Sequence, residues 1–452
     1  MPDKTMVTQP AIQREDELDL LESTVTAALR RAARAGATAA EASTYTSQGL
    51  SVTVRLGDVE TLEQMQDRGI SITVFIGKRK GQASSADLRP QSIEACVDRA
   101  LEIARFTQED PCSGLADLEL LATEFPDLDL WHPAPMDASA AIERALACEA
   151  AGRLDERITN SEGASFDAGL GMSVYGNSHG FIGRSSGTRY SQSCVLLAGR
   201  GSGMQRDYSY DSRRCLTDLE AAEETGREAA RRALRRLDAR QLPTGDMPVL
   251  LAPEVAKGLA GHLLGAISGS SLYRNASFLK DRAGEQLFPA WMTICERPHL
   301  PRGAGSANFD NEGVRTRERN IVESGVLQDY VLSSYSARRL GLQTTGNAGG
   351  VRNLLLVPGG DAGDLLRELR SGFYVTEVMG QGVNLVTGDY SRGAAGFRVE
   401  NGEIVHAVEG VTIAGNLRDL FLDIRAVGTD IDTRGNIHCG HLLIGRMTVA
   451  GE

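Results

Sequence analysis

The chain has 452 residues and a formal net charge of −12; 41% of its residues are hydrophobic and 24% are charged. This composition excludes a wholly disordered chain, and the length is typical of about three domains. The acidic balance disfavours nucleic acid as a partner, because like charges repel phosphate groups. Glycine is frequent at 50 residues and aromatic residues make up only 5%, which is typical of a β-rich protein with many tight turns.

Three features bear on the location of the protein. The N-terminal stretch over 1–17 has no apolar segment like that of a signal peptide. No run of about 18 apolar residues occurs that could span a membrane. The seven cysteines are scattered and form no C-x-x-C pair, which is typical of reduced thiols. We therefore expect a cytoplasmic protein that makes no use of a membrane.

The N-terminal part of the chain, 1–107, is predicted to form an α-β-β-α domain. Apolar residues at helical spacing predict helices over 15–35 and 90–106. Alternating apolar residues predict strands over 50–56 and 70–76.

The next part, 108–243, is predicted to form a helix–sheet–helix domain. It opens with an acidic, proline-containing connection, after which Asp137 is a plausible N-cap of a helix over 138–153. Glycine-punctuated strands are predicted over 157–210, and a second helix follows over about 218–239.

This second helix carries two local patterns. Thr217 and Glu220 have the spacing of a capping box, which predicts the helix start. Arginines follow one another over 227–240, with glutamates interleaved among them. Mixed charges of this kind indicate a solvated, salt-bridged face rather than a surface for nucleic acid or acidic peptide.

The remaining part, 244–452, is predicted to form a β-rich domain with antiparallel sheets. A strand over 247–251 and a helix over 254–267 are followed mostly by strand patterns, with one more helix over 361–371. Asn401-Gly402 between two strand patterns indicates a tight hairpin. The fold class is therefore α+β, with two helix–sheet domains before a β-rich C-terminal domain.

Two short motifs match hydrolase signatures. Gly176–Gly180 reads G-x-S-x-G, but strand patterns on both sides favour a hairpin turn over a nucleophile elbow. Ser277–Lys280 reads S-x-x-K without the companion motifs that such enzymes carry. We expect neither motif to be catalytic.

His438, Cys439 and His441 form the most metal-like cluster, because thiolate and imidazole are the ligands that zinc prefers. Three neighbouring residues cannot build a tetrahedral site alone, and in a strand His438 and Cys439 would point to opposite faces. For these three residues a structural role is therefore favoured over metal binding. His262, on the predicted helix over 254–267, is expected at the edge of the core.

Three glycine-rich segments, 345–350, 379–383 and 387–396, lie in the C-terminal part. Glycine lets a second backbone approach closely, so these segments favour a groove that holds an extended peptide. The candidate contact or interface residues are Asp389, Arg392, Gly393, Gly346 and Asn347.

Five segments closely resemble the TldD/PmbA family, whose members are also labelled modulators of DNA gyrase. They are Pro253–Ser268, Asp310–Thr316, Ser334–Gly341, Thr387–Phe397 and Glu400–Glu403. The resemblance implies a cytosolic peptidase of paired TldD and PmbA subunits, which degrades unfolded peptides and matures some peptide antibiotics. It also implies a homodimer when the chain is alone. The net charge of −12, by contrast with the gyrase label, predicts no direct contact with nucleic acid.

The resemblance also implies where a metal would lie. TldD-type members bind zinc through H-E-x-x-x-H on the helix near 254–267 and a cysteine near the C-terminus. The motif falls on Ala260, Gly261 and Gly265, which cannot bind metal, whereas the cysteine matches Cys439. The chain is therefore similar to the PmbA-type (TldE-type) subunit, with no cofactor of its own and with zinc expected in the TldD-type partner.

Two alternatives remain open on the residues alone. The chain could be an independent metal- or thiol-dependent hydrolase that uses Cys439 with His438 or His441. It could also be a non-enzymatic protein that binds and modulates gyrase.

Overall fold

The computed structural model describes residues 14–135 and 137–451. The expectation of no signal peptide falls largely on 1–13, which lie outside the described residues. No helix in the described part of the chain has both the length and the hydrophobicity of a membrane span.

The described residues form helices and strands in an α+β arrangement. The helices are α1 Arg14–Arg34, α2 Pro90–Phe106, α3 Ala138–Gly152, α4 Ala222–Arg235, α5 Pro253–Ala266, α6 Gly269–Tyr273, α7 Ser334–Leu340, α8 Leu365–Leu369 and α9 Leu417–Leu422. The strands are β1 Ala39–Arg55, β2 Asp58–Ile76, β3 Arg79–Ser85, β4 Ile158–Asn177, β5 Ile182–Ala198, β6 Gln205–Arg213, β7 Gly245–Leu251, β8 Ile294–Glu296, β9 Arg319–Glu323, β10 Val326–Leu327, β11 Leu354–Leu356, β12 Gly359–Gly360, β13 Gly372–Met379, β14 Asp389–Glu400, β15 Glu403–Asn416, β16 Ile424–Val427, β17 Ile437–His438 and β18 Leu442–Ala450.

The strands form three sheets. One has the order β3-β2-β1-β4-β5-β6, the second β10-β9-β8-β11-β17, and the third β12-β16-β18-β15-β14-β13-β7. In the third sheet β7 also pairs with β18, so five strands close into a ring. Closure leaves these strands without a free edge, which protects them from pairing with other chains. The predicted α+β class is confirmed, with mostly antiparallel pairing in the C-terminal part.

Contacts divide the described chain into two units. In the smaller unit, residues up to 48, 65–118 and 170–187, helices α1 and α2 bury apolar stripes that include Leu21, Val25 and Val97. The larger unit holds 49–64, 119–169 and the residues from 188 onward. Its main core gathers buried side chains of α5 and the third sheet around Phe288, Phe373 and other apolar residues. The division into three domains at 107/108 and 243/244 stays a prediction.

The elements predicted for 1–107 are confirmed in type. Helices α1 and α2 match the two predicted helices, and the two predicted strands lie inside the longer β1 and β2. The first half of β2, over 58–68, is exposed throughout, so it lacks the buried alternation from which a strand is predicted. Strand β3 was not predicted.

Two local predictions in the middle part are also confirmed. Asp137 caps α3, because its Oδ1 accepts a hydrogen bond of 2.8 Å from the backbone N–H of Ala140. The G-x-S-x-G motif lies at the turn between β4 and β5, where the Ser178 hydroxyl accepts from the Ala40 backbone N–H. Ser178 therefore has a structural partner in a hairpin turn.

The predicted capping box at Thr217 is wrong. A short 3₁₀ turn covers Leu216–Asp218, and α4 begins only at Ala222 without a side-chain cap. The backbone carbonyl of Glu220 instead accepts hydrogen bonds from the side chains of Arg144 and Gln192. These tertiary contacts hold Glu220 outside the helix, which local spacing could not reveal.

The hairpin turn predicted in the C-terminal part is confirmed. Asn401 and Gly402 form a two-residue turn between β14 and β15, with φ of +53° and +79°. Positive φ at both positions is the geometry that an Asn-Gly pair adopts readily. The helix predicted over 361–371 is shorter and covers Leu365–Leu369.

Candidate functional site

Helix α5 places the segment to which the family resemblance assigns metal ligands. Pro253 occupies its first turn, where a missing N–H costs no hydrogen bond. Val255, Leu259 and Leu263 recur at helical spacing and are buried in the main core. The helix contacts β7, β13 and β17. One face of α5 therefore packs against the sheets, and the opposite face is available for other contacts.

The outer face of α5, formed by Gly258, Gly261, His262 and Gly265, is called the α5 face. A Cβ added at Gly258 or Gly261 would meet nothing within 4 Å, whereas one at Gly265 would lie 2.9 Å from Leu385 Cδ1. Of these three glycines, only Gly265 is therefore closely packed against a neighbouring side chain. Ala260 faces inward and is only 4% exposed.

His262 lies half-buried on the α5 face, at the edge of the core as predicted. Its ring meets the Tyr390 ring edge-on at 5.9 Å. Burial lowers the pKa of His262, and the positive charge of Arg392 lowers it further. The imidazole is therefore kept neutral, in the form that can accept a hydrogen bond.

Three of the candidate groove residues lie together on β14, beside the α5 face. The exposed Asp389 carboxylate accepts hydrogen bonds from Thr387 Oγ1 at 2.6 Å and from Asn416 Nδ2 at 3.3 Å. Arg392 Nε donates to the Met379 carbonyl at 3.0 Å, across from Gly393 on the paired strand. These contacts orient both charged side chains, and the role of the three residues in peptide binding stays a prediction.

The other two candidates, Gly346 and Asn347, are buried elsewhere in the larger unit. Gly346 has φ of +73°, and a Cβ there would lie 2.7 Å from the Arg315 carbonyl oxygen. Asn347 accepts from Arg319 Nη2 at 2.7 Å and donates to Glu296 Oε1 at 2.8 Å. Both residues thus have clear structural roles, and their part in peptide contact stays a prediction.

Cys439 and His438 are both buried. The Cys439 thiol is fully buried and donates to the Gly440 carbonyl, and burial raises its pKa to about 12. A thiol with that pKa is protonated near neutral pH and is a poor nucleophile. The His438 ring pairs with the Gly435 carbonyl at 3.0 Å, and burial lowers its pKa. These contacts disfavour a thiol-dependent hydrolase.

His441 is the third member of the metal-like cluster, and its ring is held on both sides. Nδ1 bonds to the Asp430 carboxylate, and Nε2 lies 2.9 Å from the Tyr374 hydroxyl. Burial raises the pKa of Tyr374 to about 12. The phenol therefore stays protonated and is available as a hydrogen-bond donor to the ring.

A network of alternating charges, not predicted from the sequence, connects α5 to the loop before β17. Its members in order are Arg232, Glu254, Arg434, Asp432 and Lys257. Burial alone would raise the pKa values of Glu254 and Asp432. The ion pairs outweigh that effect and hold both pKa values below their usual range. The D-x-D-x-R spacing of residues 430–434 is the sequence pattern that could have indicated this network.

Lys257 is the charged residue of α5 that acts on the cysteine. Its ammonium group lies 2.5 Å from Asp432 Oδ2, and its charge influences the pKa of both Cys439 and His438. Among residues 14–135 and 137–451, no group of three or more His, Cys, Asp or Glu side chains is placed to hold a metal ion.

The remaining sequence motifs resolve into ordinary contacts. Ser277 Oγ donates to the Ala266 carbonyl, and Lys280 pairs with Asn275, so the S-x-x-K motif forms no Ser–Lys pair. Three arginines of α4 form ion pairs as predicted. These pairs are Arg227–Glu224, Arg231–Glu228 and Arg232–Glu228. Arg236, directly after the helix, pairs with Asp207.

Comparison with known proteins gives consistent matches along the chain. Sequence profiles of the PmbA/TldA metallopeptidases match residues 40–104 (domain 1), 131–237 (central domain) and 244–451 (C-terminal domain). The metalloprotease PmbA of Escherichia coli O157:H7 is 49% identical over 97% of this chain and 98% of its own. A PmbA homologue of Haemophilus influenzae is 46% identical over 98% of each chain.

A solved structure gives the same result. A protein of Bacteroides thetaiotaomicron described as a modulator of DNA gyrase superposes with a TM-score of 0.91 at 28% identity. The match covers 95% of this chain and 99% of that one.

Proposed function

Because the chain belongs to the PmbA/TldD metallopeptidase family, we propose that it is the non-catalytic PmbA-type (TldE-type) subunit of a two-component peptidase. In this role it pairs with a TldD-type subunit that holds the zinc ion. The complex cleaves unfolded peptides and matures peptide antibiotics. This chain supplies binding surface and positioning rather than the metal.

The observation that carries this proposal is the side-chain content of α5. Ala260, Gly261 and Gly265 offer no donor atom to a metal, and Cys439 by itself cannot hold a catalytic zinc ion. The ammonium of Lys257 acts on that cysteine and would repel a cation. The residues present therefore do not fit zinc, and no step of the reaction is assigned to it in this chain.

The proposed contribution of the chain is a peptide-binding surface beside the α5 face. Gly258 and Gly261 leave open space, so an extended peptide could approach the helix backbone closely. Asp389 and Arg392 are held in place on β14 and offer one charge of each sign. His262, kept neutral, offers a hydrogen-bond acceptor between them.

The setting proposed for this activity is the cytoplasm, with a homodimer when the TldD-type partner is missing. The net charge of −12 disfavours direct contact with nucleic acid. We propose no membrane partner. An effect on gyrase would act through the turnover of peptides.

The test is cleavage by a reconstituted pair. The chain is mixed with a TldD-type subunit from the same source, and hydrolysis of an unfolded fluorogenic peptide is followed for the pair and for each subunit alone. We expect cleavage only when the TldD-type subunit is present. Asp389→Ala or Arg392→Ala should lower kcat/KM of the pair by about tenfold, which corresponds to about 1.4 kcal/mol of transition-state stabilisation.

The matched control is Arg398→Ala. Arg398 lies on the same strand and pairs with the exposed Glu400, away from the α5 face. It should leave cleavage unchanged. One zinc ion per chain together with chelator-sensitive cleavage by this chain alone would overturn the proposal. Unchanged cleavage in the Asp389 and Arg392 variants would remove the peptide-binding role of those residues.

A further inference from the structure

A polar cavity of about 370 Å³ lies beside the charged network, and its wall includes Pro253 and Glu254, the first residues of α5. The wall also includes Arg213, Arg232, Tyr374, Asp430, Arg434 and His441. All of these residues belong to the larger unit. The cavity is here called the Asp430 cavity. Its size is in the range of sites for small ligands.

Arg213 contributes a positive charge to the wall of the Asp430 cavity. Its Nε pairs with Asp211 at 3.1 Å, while its two terminal nitrogens have no partner among the described residues. Arg232 and Arg434, by contrast, are occupied by Glu254 and other carboxylates of the network. A planar guanidinium with two free nitrogens can hold a carboxylate through two hydrogen bonds.

Asp430 contributes a negative charge to the same wall. Its carboxylate accepts from the His441 backbone N–H at 3.3 Å and from Nδ1 of the same residue, yet its side chain is still 52% exposed. A carboxylate can accept about four hydrogen bonds, so acceptor capacity remains for a ligand amine.

The position of Asp430 is fixed from two sides. The Tyr374 hydroxyl lies 2.9 Å from His441 Nε2, and this contact helps to orient the imidazole toward the carboxylate. A Cβ added at Gly428 would lie 2.4 Å from Asp430 Oδ1, and one at Gly440 would lie 3.0 Å from it. The chain thus leaves room for this carboxylate at both glycines, and the negative charge is preorganised before any ligand binds.

We propose that the Asp430 cavity binds a short zwitterionic peptide, with the carboxylate of the peptide at Arg213 and its ammonium group at Asp430. The unused donors of Arg213, the unused acceptor capacity of Asp430 and the volume of the cavity are the features expected of a site for a di- or tripeptide. The inference rests on the proposed peptide-directed function, because short peptides with both free ends are the products of peptidases. The ligand would therefore be a short peptide product of this kind.

The test is titration calorimetry on the full-length chain without a partner subunit, with trialanine as the probe. Trialanine amide, which lacks the carboxylate, and N-acetyl-trialanine, which lacks the ammonium group, are titrated in parallel. We expect saturable binding of trialanine and at least about tenfold weaker binding of each blocked peptide. In Arg213→Gln the amide and the free acid should bind equally weakly. In Asp430→Asn the acetylated and free peptides should bind equally weakly.

The control variant is Arg206→Gln, because Arg206 lies on β6 like Arg213, pairs with Glu162 and does not line the Asp430 cavity. It should bind trialanine as the wild type does. Equal binding of free and blocked peptides, or no binding by the wild type, would overturn the inference. Neither result touches the proposed subunit function, which is measured as cleavage by the reconstituted pair.

Discussion

Buried carboxylates in this protein are compensated in two different ways. Glu296 is only 2% exposed, and it accepts from Arg319 Nε at 3.0 Å as well as from Asn347. Asp310 is only 1% exposed and accepts three backbone N–H groups, with no cation bonded to it. An ion pair and a cage of neutral donors respond differently to substitution and to pH.

Removal of Glu296 should be strongly destabilising. Glu296→Ala leaves the guanidinium of Arg319, itself 9% exposed, without its buried partner. We expect the free energy of unfolding to fall by about 3 kcal/mol, measured by urea denaturation. The control Glu400→Ala removes the exposed partner of Arg398 and should cost less than about 1 kcal/mol. Equal effects of the two variants would contradict the expectation.

Asp310 should make stability depend on pH. Burial raises its pKa from 3.8 to about 6, so its contribution is complete below the unfolded-state pKa and is lost as the pH rises through about 6. Relative to Asp310→Asn, the wild type should therefore gain about 2 kcal/mol of unfolding free energy between pH 7 and pH 4.5. Urea denaturation of both proteins at the two pH values measures this difference. A constant difference would refute the raised pKa.

At the scale of elements, glycine within a helix marks two opposite situations. Gly226 of α4 lies against α3, where an added Cβ would lie 1.9 Å from the Cys148 carbonyl oxygen. Gly261 of α5 faces open space. The first glycine permits two helices to approach closely. The second leaves a helix face uncovered at a cost in helix propensity of about 1 kcal/mol relative to alanine.

The same substitution in the two helices should have opposite effects. Gly226→Ala should lower the free energy of unfolding by about 3 kcal/mol, since the backbone of α3 must move. Gly261→Ala should raise it by about 0.5 to 1 kcal/mol, since nothing obstructs the methyl group. Thermal and urea unfolding measure both. Destabilisation by Gly261→Ala would mean that the α5 face is packed rather than open.

At the scale of the whole molecule, the main core holds itself together through apolar contacts. The ring of β7, β13, β14, β15 and β18 closes over the buried side chains that gather around α5. Cys439 lies within this core as a neutral thiol. The folded state of the larger unit is therefore expected to be independent of a metal ion.

Chelation provides the matching experiment. Because a ligand that binds only the native state raises the midpoint of unfolding, removal of a bound zinc ion would lower Tm. We expect 1,10-phenanthroline or EDTA to leave Tm unchanged and mass spectrometry to find no stoichiometric zinc. Cys439→Ser should give the same insensitivity to chelator. A chelator-dependent fall in Tm would show that the chain binds a structural metal.

Local patterns in the sequence determined much of the fold. Helical spacing gave α1, α2, α3 and α5, and the Asn401-Gly402 pair gave the turn between β14 and β15. The resemblance of five segments to the TldD/PmbA family identified the family correctly. These features depend on neighbouring residues or on long matching segments, and both are visible in one chain.

Only the tertiary structure decided which charged and small residues meet. Helix α4 begins later than predicted, because the side chains of Arg144 and Gln192 donate hydrogen bonds to the backbone carbonyl of Glu220. Tyr374 of β13, Asp430 of the loop before β17 and His441 just before β18 come together from separate parts of the sequence. Hydrogen bonds and ion pairs of this kind depend on distances that chain closure sets, and residue order alone does not contain those distances.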